Sequence, residues 1–294
     1  MSTQKAKVFI LTLLAMILAT PLWPFEVRVP HSVRLGDAFR VEISYRNGGT
    51  GYLQWLGRRI SFSLLRRRGS QYHLWLFLGS DVKRDRPGMY SLSIWTSRDR
   101  GIKRQIYLYP RRYSYTRIKV SARYSHLSRA ALSRYFKEHE EIRRIHELFE
   151  PHAYFSGPFI LPLRAPISSP YGRVRIINGK QRSIHLGVDF ATGYGKKVHS
   201  INRGRVVLCK ELLFSGKSVF IDHGLGIISE YFHLSAIDVS LNQMVEKGEV
   251  IGLTGKSGRV TGPHLHLGIC VLGEMVDPIS FIHLSQEKSL SATP

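Results

Sequence analysis

His185-Leu186-Gly187-Val188-Asp189 and His264-Leu265-His266 are the two stretches from which the rest of this sequence can be read. In an extended chain, residues i, i+2 and i+4 project from one face. His185 and Asp189 are then expected to point the same way, with Gly187 between them contributing no side chain and leaving room for an ion. His264 and His266 share a strand face in the same manner, and Pro263 stands just before them, where it costs no central ladder bond. Imidazole nitrogen and carboxylate oxygen suit zinc, and a catalytic zinc needs three protein ligands and one open position. His185, Asp189 and one histidine of the 264/266 pair satisfy that count. Such a site also needs a proton shuttle or an oxyanion stabiliser. The spare histidine of the pair and His233, in Tyr231-Phe232-His233-Leu234, are the candidates. Either motif alone is weak, whereas both together in one Gly-rich β region, with an isolated histidine between them, are much stronger.

The surrounding sequence is strand-like. Val206-Val207-Leu208, Val219-Phe220-Ile221 and the run from Leu265 to Val271 are expected strands, with glycines such as Gly193, Gly204, Gly216, Gly224 and Gly255 at the turns. No alternation of strands and helices appears, which disfavours a parallel α/β sheet. Gly255-Lys256-Ser257 and Gly216-Lys217-Ser218 fail as phosphate loops, because Val250 and Glu211 stand where an earlier glycine is required. His223, in Asp222-His223-Gly224, is expected to be structural, and His199 has no partner spacing. Cys209 and Cys270 lie too far apart for a zinc knuckle; buried free thiols are expected, with a disulfide between them in an oxidising compartment as the alternative. Arg173 and Arg175 follow the Tyr171-Gly172 turn, on the surface or lining a groove.

Upstream the pattern differs. Phe39, Val41, Ile43 and Tyr45 alternate with Arg40, Glu42, Ser44 and Arg46, the period of a half-buried strand. Leu74 to Leu78, Tyr90 to Ile94 and Ile106 to Tyr109 add further strands, and together they suggest a β-sandwich of immunoglobulin type over 25–122. Arg58, Arg59 and the run Arg66 to Arg68 are expected to form a solvated basic face, with a dedicated binding patch as the alternative. From Leu127 to Leu148 apolar residues recur at helical spacing with Ser128 as the cap, so 123–152 is expected to be a helical connector packed between two domains. The second domain then spans 153–286, followed by a flexible tail, 287–294. Lys5 and Lys7 precede an apolar run from Val8 to Leu22, the pattern of an export signal over 1–24, either cleaved or retained as a signal-anchor. The chain of 294 residues carries 43 Lys and Arg against 21 Asp and Glu, a net charge of +22 that favours an anionic partner. Export directs that preference away from nucleic acid and towards an anionic cell-envelope surface.

Ser169-Pro170-Tyr171-Gly172, His185-Leu186-Gly187-Val188-Asp189-Phe190, Asp222-His223-Gly224, Tyr231-Phe232-His233-Leu234-Ser235 and Thr261-Gly262-Pro263-His264-Leu265-His266 together resemble the lysostaphin/LytM-type zinc metallopeptidases. The upstream half more loosely resembles the immunoglobulin-like domain that precedes some of them. The resemblance implies a mostly β chain: an N-terminal immunoglobulin-like sandwich, a connecting helix and a C-terminal antiparallel β-rich peptidase domain. It implies one zinc ion held by His185, Asp189 and His266, with His264 and His233 as catalytic, non-ligand histidines. The implied reaction is hydrolysis of the peptide stems or cross-links of bacterial peptidoglycan through a zinc-activated water. The implied location is exported, in the periplasm or cell envelope, with inner-membrane anchoring through the N-terminal segment as one form of it. A non-hydrolytic activator of a cell-wall amidase and a peptidase of exported proteins are the alternatives. Gly268 departs from the family, where a bulkier or acidic residue often follows the paired histidines.

Overall fold

The computed structural model describes residues 25–45, 48–64, 67–68, 71–96, 99–118, 128–177, 179 and 181–287. The expected export signal, Arg66, the 122/123 boundary and residues 288–294 of the tail lie outside them. The first half holds β1 (Phe25–Arg28), β2 (Ser32–Arg34), β3 (Ala38–Tyr45), β4 (Gly49–Trp55), β5 (Arg58–Leu64), β6 (Arg67–Arg68), β7 (Gln71–Gly79), β8 (Gly88–Thr96), β9 (Asp99–Tyr109) and β10 (Tyr115–Ile118). Then come α1 (Arg129–His146), β11 (Ile167–Ser169), β12 (Val174–Ile177), β13 (Gln181–Ile184), β14 (Val188–Ala191), β15 (Lys197–His199), β16 (Gly204–Leu212), β17 (Gly216–Asp222) and β18 (Ile227–Ile237). The chain finishes with β19 (Met244–Val245), β20 (Val250–Thr254), β21 (His264–Val271), β22 (Glu274–Val276) and α2 (Pro278–Gln286).

The first half is a two-sheet sandwich, ordered β1-β3-β7-β6 and β2-β9-β8-β4-β5. The alternation over Phe39–Tyr45 buries Val41 and Ile43 completely, as a strand with one wet face requires. The second half is built on a ten-stranded sheet whose main path runs β11-β14-β21-β18-β17-β16-β19. Its central strands are covered on both faces, so β17 buries Val219, Phe220 and Ile221 in succession. This fold is mostly β, as expected.

One apolar core runs through both halves. Phe77 of β7 meets Phe281 of α2 with ring centroids 5.0 Å apart, and Trp75 meets Phe155 at 5.7 Å. At Gly79 a Cβ would lie 2.3 Å from Val276 Cγ1, so β7 can approach β22 only where the chain has no side chain. Polar contacts reinforce the seam. Arg111 bridges Asp37 of the sandwich (3.1 Å) and Asp277 (2.7 Å), and Asp277 also caps α2 by accepting from Ile279 N at 3.0 Å.

Helix α1 begins where Ser128 accepts from Ala131 N at 3.1 Å. It does not pack between the halves. Ile145 sits among Leu208, Leu212, Phe220 and Ile228 of the second half's sheet, and Tyr135 edges onto Phe214. The buried carboxylate of Glu230 in β18 pairs with His146. Leu132 and Phe136 stay exposed, so the helix covers the sheet mainly with its last turn. No helix among the described residues is long and apolar enough to cross a membrane. Cys209 and Cys270 are free thiols, the first half-buried on β16 and the second fully buried on β21.

Candidate metal centre

Strand pairing assembles the centre. β14 pairs antiparallel with β21 so that Asp189 lies directly opposite His266, and Ala191 opposite His264. On its other edge β21 pairs with β18, placing Phe232 opposite His266. The imidazole of His266 stacks flat on Phe232, with centroids 4.9 Å apart and planes within 3°. His185 reaches the same point differently from the single extended strand expected. It stands just beyond β13, and the chain bends at Gly187 before β14 begins. The space left by Gly187 is taken by the ring of His266: a Cβ at 187 would lie 2.5 Å from its Cε1 and Nε2. The glycine thus makes room for the imidazole of His266.

Around Asp189 Oδ1, His185 Nε2 and His266 Nδ1 each stand at 2.9 Å, and these two nitrogens are 3.0 Å apart. The three residues offer ligand atoms that all lie within 4.8 Å of one another. His185 and Asp189 are buried, and His266 is nearly so. The orientation of His185 is fixed from behind, because its Nδ1 lies 3.1 Å from Pro170 O. A carbonyl can only accept, so Nδ1 carries the hydrogen and Nε2 presents its lone pair to the cluster. A lone pair, a carboxylate oxygen and a second imidazole nitrogen converging in a dry site call for positive charge between them. A metal ion with nitrogen and oxygen ligands fits that donor set.

Two more histidines face the cluster. His264 Nδ1 lies 2.9 Å from Gly262 O, and its Nε2 comes within 3.9 Å of Asp189 Oδ1. His233 Nδ1 lies 3.0 Å from Ser257 O, and its ring is 4.8 Å from that of His264. His233 has φ +66, the left-handed region, at the point where β18 exchanges one partner for another. Phe232 still pairs with β21, whereas Leu234 pairs with Thr254 of β20. The strained residue sits in the fork, as is common where a side chain must be aimed.

Residues 183–278 match the sequence profile of peptidase family M23. This part of the chain is an M23 peptidase domain. The chain is 42% identical over 98 residues to the peptidoglycan DD-endopeptidase ShyA of Vibrio cholerae serotype O1, covering 33% of this chain and 23% of that protein. It is 38% identical over 108 residues to the peptidoglycan DD-endopeptidase ShyB of the same organism, covering 37% and 25%. It therefore spans about a quarter of the length of these curated relatives. A solved structure of a putative peptidase M23 from Pseudomonas aeruginosa superposes with a TM-score of 0.65 at 26% identity, over 85% of this chain and 95% of that one.

The electrostatics of the M23 centre follow from its burial. Burial alone would raise the carboxyl of Asp189, but the adjoining imidazoles of His185 and His266 outweigh it and hold the group far below the usual carboxylate range. Burial pushes His266 down and takes His233 down to about 3, helped by the neighbouring imidazoles. Both rings are therefore neutral near pH 7, the form in which imidazole binds a metal or accepts a proton. Burial likewise takes His223 to about 4. That residue lies away from the centre, with Nδ1 2.9 Å from Arg203 O and Nε2 2.8 Å from Ser229 Oγ, the structural role expected of it.

Sequence reading missed four supports. Ser169 Oγ lies 3.2 Å from His185 Nδ1, and it belongs to the Ser-Pro-Tyr-Gly stretch already singled out. Ser257, met only in a failed phosphate loop, supplies the carbonyl that aims His233. Phe232 is the platform for His266. Arg175, left between surface and groove, donates from Nη2 to Asp189 Oδ2 at 3.1 Å. Gly268 points away from the groove: a Cβ there would lie 3.0 Å from Glu230 Oε2, so the missing side chain leaves space for that buried acid.

Proposed function

We propose that this chain is an exported zinc-dependent metalloendopeptidase that hydrolyses the peptide stems or cross-links of peptidoglycan, with His185, Asp189 and His266 as the metal ligands. The observation that carries the reading is the convergence of these three on one buried point with two further histidines facing it. The relatives named as peptidoglycan DD-endopeptidases supply the substrate class. A net charge of +22 would concentrate the enzyme at an anionic envelope.

When bound, zinc supplies a Lewis acid that polarises the scissile carbonyl and makes water nucleophilic near neutral pH. The chain's own residues do the rest. His264 and His233 each carry their hydrogen on Nδ1, held by the carbonyls of Gly262 and Ser257. Their Nε2 atoms are thus acceptors in the resting state. His264, the nearer to Asp189, suits the general base that takes a proton from the attacking water. A ring that has gained a proton becomes a donor at Nε2, and can then stabilise the tetrahedral oxyanion or protonate the leaving amine. Burial in the fork keeps the His233 ring in the acceptor form until that moment.

The test is digestion of defined muropeptides by the purified full chain, followed by mass spectrometry of the products. Cleavage should stop with a chelator and return with zinc. Hydrolysis that survives chelation, or none after zinc is restored, overturns the reading. The second result together with stimulation of a cell-wall amidase would make the chain an activator.

A further inference from the structure

The two oxygens of Asp189 have different partners. Oδ1 faces His185 and His266, whereas Oδ2 accepts from Arg175 Nη2 at 3.1 Å. A carboxylate held only through one oxygen can swing about its last torsion, which is broad and roughly two-fold. A guanidinium on the other oxygen stops that swing and adds a charge-assisted bond. We propose that Arg175 is a positioning residue that keeps Asp189 Oδ1 turned to the metal, and that strand β10 of the N-terminal half holds Arg175 in place.

The second clause rests on how the hairpin β12–β13 is anchored. Strands β12 and β13 belong to a separate three-stranded sheet, ordered β10-β12-β13, and not to the ten-stranded sheet that carries Asp189 and His266. β10 pairs in parallel with β12, and Thr116 stands directly opposite Arg175. Ser114 O accepts from Val174 N at 2.9 Å, and Ser114 Oγ from Arg173 Nε at 3.3 Å, so the two residues just before Arg175 are bonded to this segment, and after it Ile176 stands opposite Arg117. The segment is itself clamped. Tyr113 donates its hydroxyl to Leu35 O of the sandwich at 2.8 Å. Its ring lies against Gly172, where a Cβ would come 2.0 Å from Tyr113 Cδ1 and Cε1. Gly172 has φ +78 and opens the turn that leads into β12. A continuous path of packed and hydrogen-bonded groups thus runs from the sandwich through Tyr113 and β10 to Arg175, and from Arg175 to a metal ligand. The N-terminal half is then part of the second layer of the centre as well as a neighbour of it.

Arg175 is partly exposed, with 39% of its side chain accessible, so removing it leaves no cavity and should not prevent folding. The proposal rests on the ligand set given under Proposed function, and the experiment separates the two. Zinc alone is the probe, and its affinity for the full chain is measured by competition with a chromogenic chelator. The set comprises the wild type, Arg175→Met, Arg175→Lys, Thr116→Pro and His266→Ala. Loss of a group that orients a ligand weakens metal binding by about 10- to 100-fold. Arg175→Met should fall in that range while the metal-free protein melts as the wild type does. Arg175→Lys, which keeps the charge without the fork, should recover part of the loss. Thr116→Pro removes a backbone donor from β10 opposite Arg175 and should weaken zinc in the same direction with the arginine still present. If Arg175→Met binds zinc as tightly as the wild type while His266→Ala does not bind it, the positioning role is wrong and the ligand set stands. Higher peptidase turnover in Arg175→Met at unchanged affinity would make the arginine a plug in the groove, and would also overturn the proposal. A wild type that binds no zinc removes the ligand set and this inference together. Wild-type affinity in a folded Thr116→Pro would remove the role of β10 alone.

Discussion

Gly187→Ala is the smallest change that should damage the centre. An added Cβ would stand 2.5 Å from His266 Cε1 and Nε2 on one side and 2.5 Å from Leu267 O on the other. Ordinary contact begins at 3.4 Å, so the shortfall is about 0.9 Å on both sides at once. Leu267 is fixed opposite Val188 in the β14–β21 ladder and cannot yield cheaply. The ring of His266 is backed by Phe232. Gly187 lies outside the left-handed region, so crowding and not backbone torsion is the source of the effect. Overpacking of this kind costs about 1–3 kcal/mol. For a chain of this size that lowers the melting temperature by about 2–4 °C per kcal/mol. The larger effect falls on function, because a displacement of roughly 1 Å in a positioned group costs about a hundredfold. Zinc affinity from chelator competition and the melting temperature with and without zinc should both fall. An alanine variant that binds zinc and melts as the wild type does would refute the steric reasoning.

Within the histidine pair, His264→Ala should retain zinc and lose hydrolysis, whereas His266→Ala should lose both, together with the stabilisation that zinc gives the wild type. Equal zinc affinity in the two variants, measured by the same competition, would reverse or abolish the assignment. His223 sets a pH window. Its folded value of about 4 lies below the unfolded value of 6.5, so its contribution is fully present above pH 6.5 and is lost as pH falls towards 4. Denaturant titrations of the metal-free protein should show about 2 kcal/mol less stability at pH 5 than at pH 7 from this group, and His223→Gln should flatten that slope. An unchanged slope would mean that His223 does not titrate on unfolding. At the seam, Asp277→Asn keeps a cap for α2 but loses the charge facing Arg111, and Asp277→Ala loses both. The alanine variant should therefore be the less stable by about 1 kcal/mol in thermal or denaturant melts. Equal stabilities would leave the cap without weight.

The cluster is legible in the sequence where its parts sit on strands, as Asp189, His264 and His266 do, because side-chain direction there has a fixed period. His264 and His266 share a face of β21 as spacing alone requires, but spacing could not say which of them meets Asp189. That distinction comes from the register of β14, which no local pattern encodes. The alternation in β3 was readable for the same reason, one of its faces being wetter than the other. Across α1 the helical period was correct and its implication was not: Leu132 and Phe136 lie on the apolar stripe yet remain exposed, because the sheet beneath the helix is met at Ile145. Arg175 was unreadable as a partner of Asp189. Its direction depends on a parallel pairing between strands from different halves, and such pairs leave no mark in nearby sequence. The straight strand expected from His185 to Asp189 is replaced by a bend at Gly187, which no period-two reading registers.

The core shared by the two halves has a consequence for how such a chain can be inherited. Phe281 and Val276 of the second half are covered by Phe77 and Gly79 of the sandwich, so neither half owns a finished surface at the seam. A gene fragment encoding the second half alone would expose that apolar face to water and to other copies of itself. Recombination can exchange the sandwich only for another cover of matching shape. The two halves should therefore pass between lineages as one cassette, with insertions tolerated in their outer loops and resisted along the line where β7 meets β22.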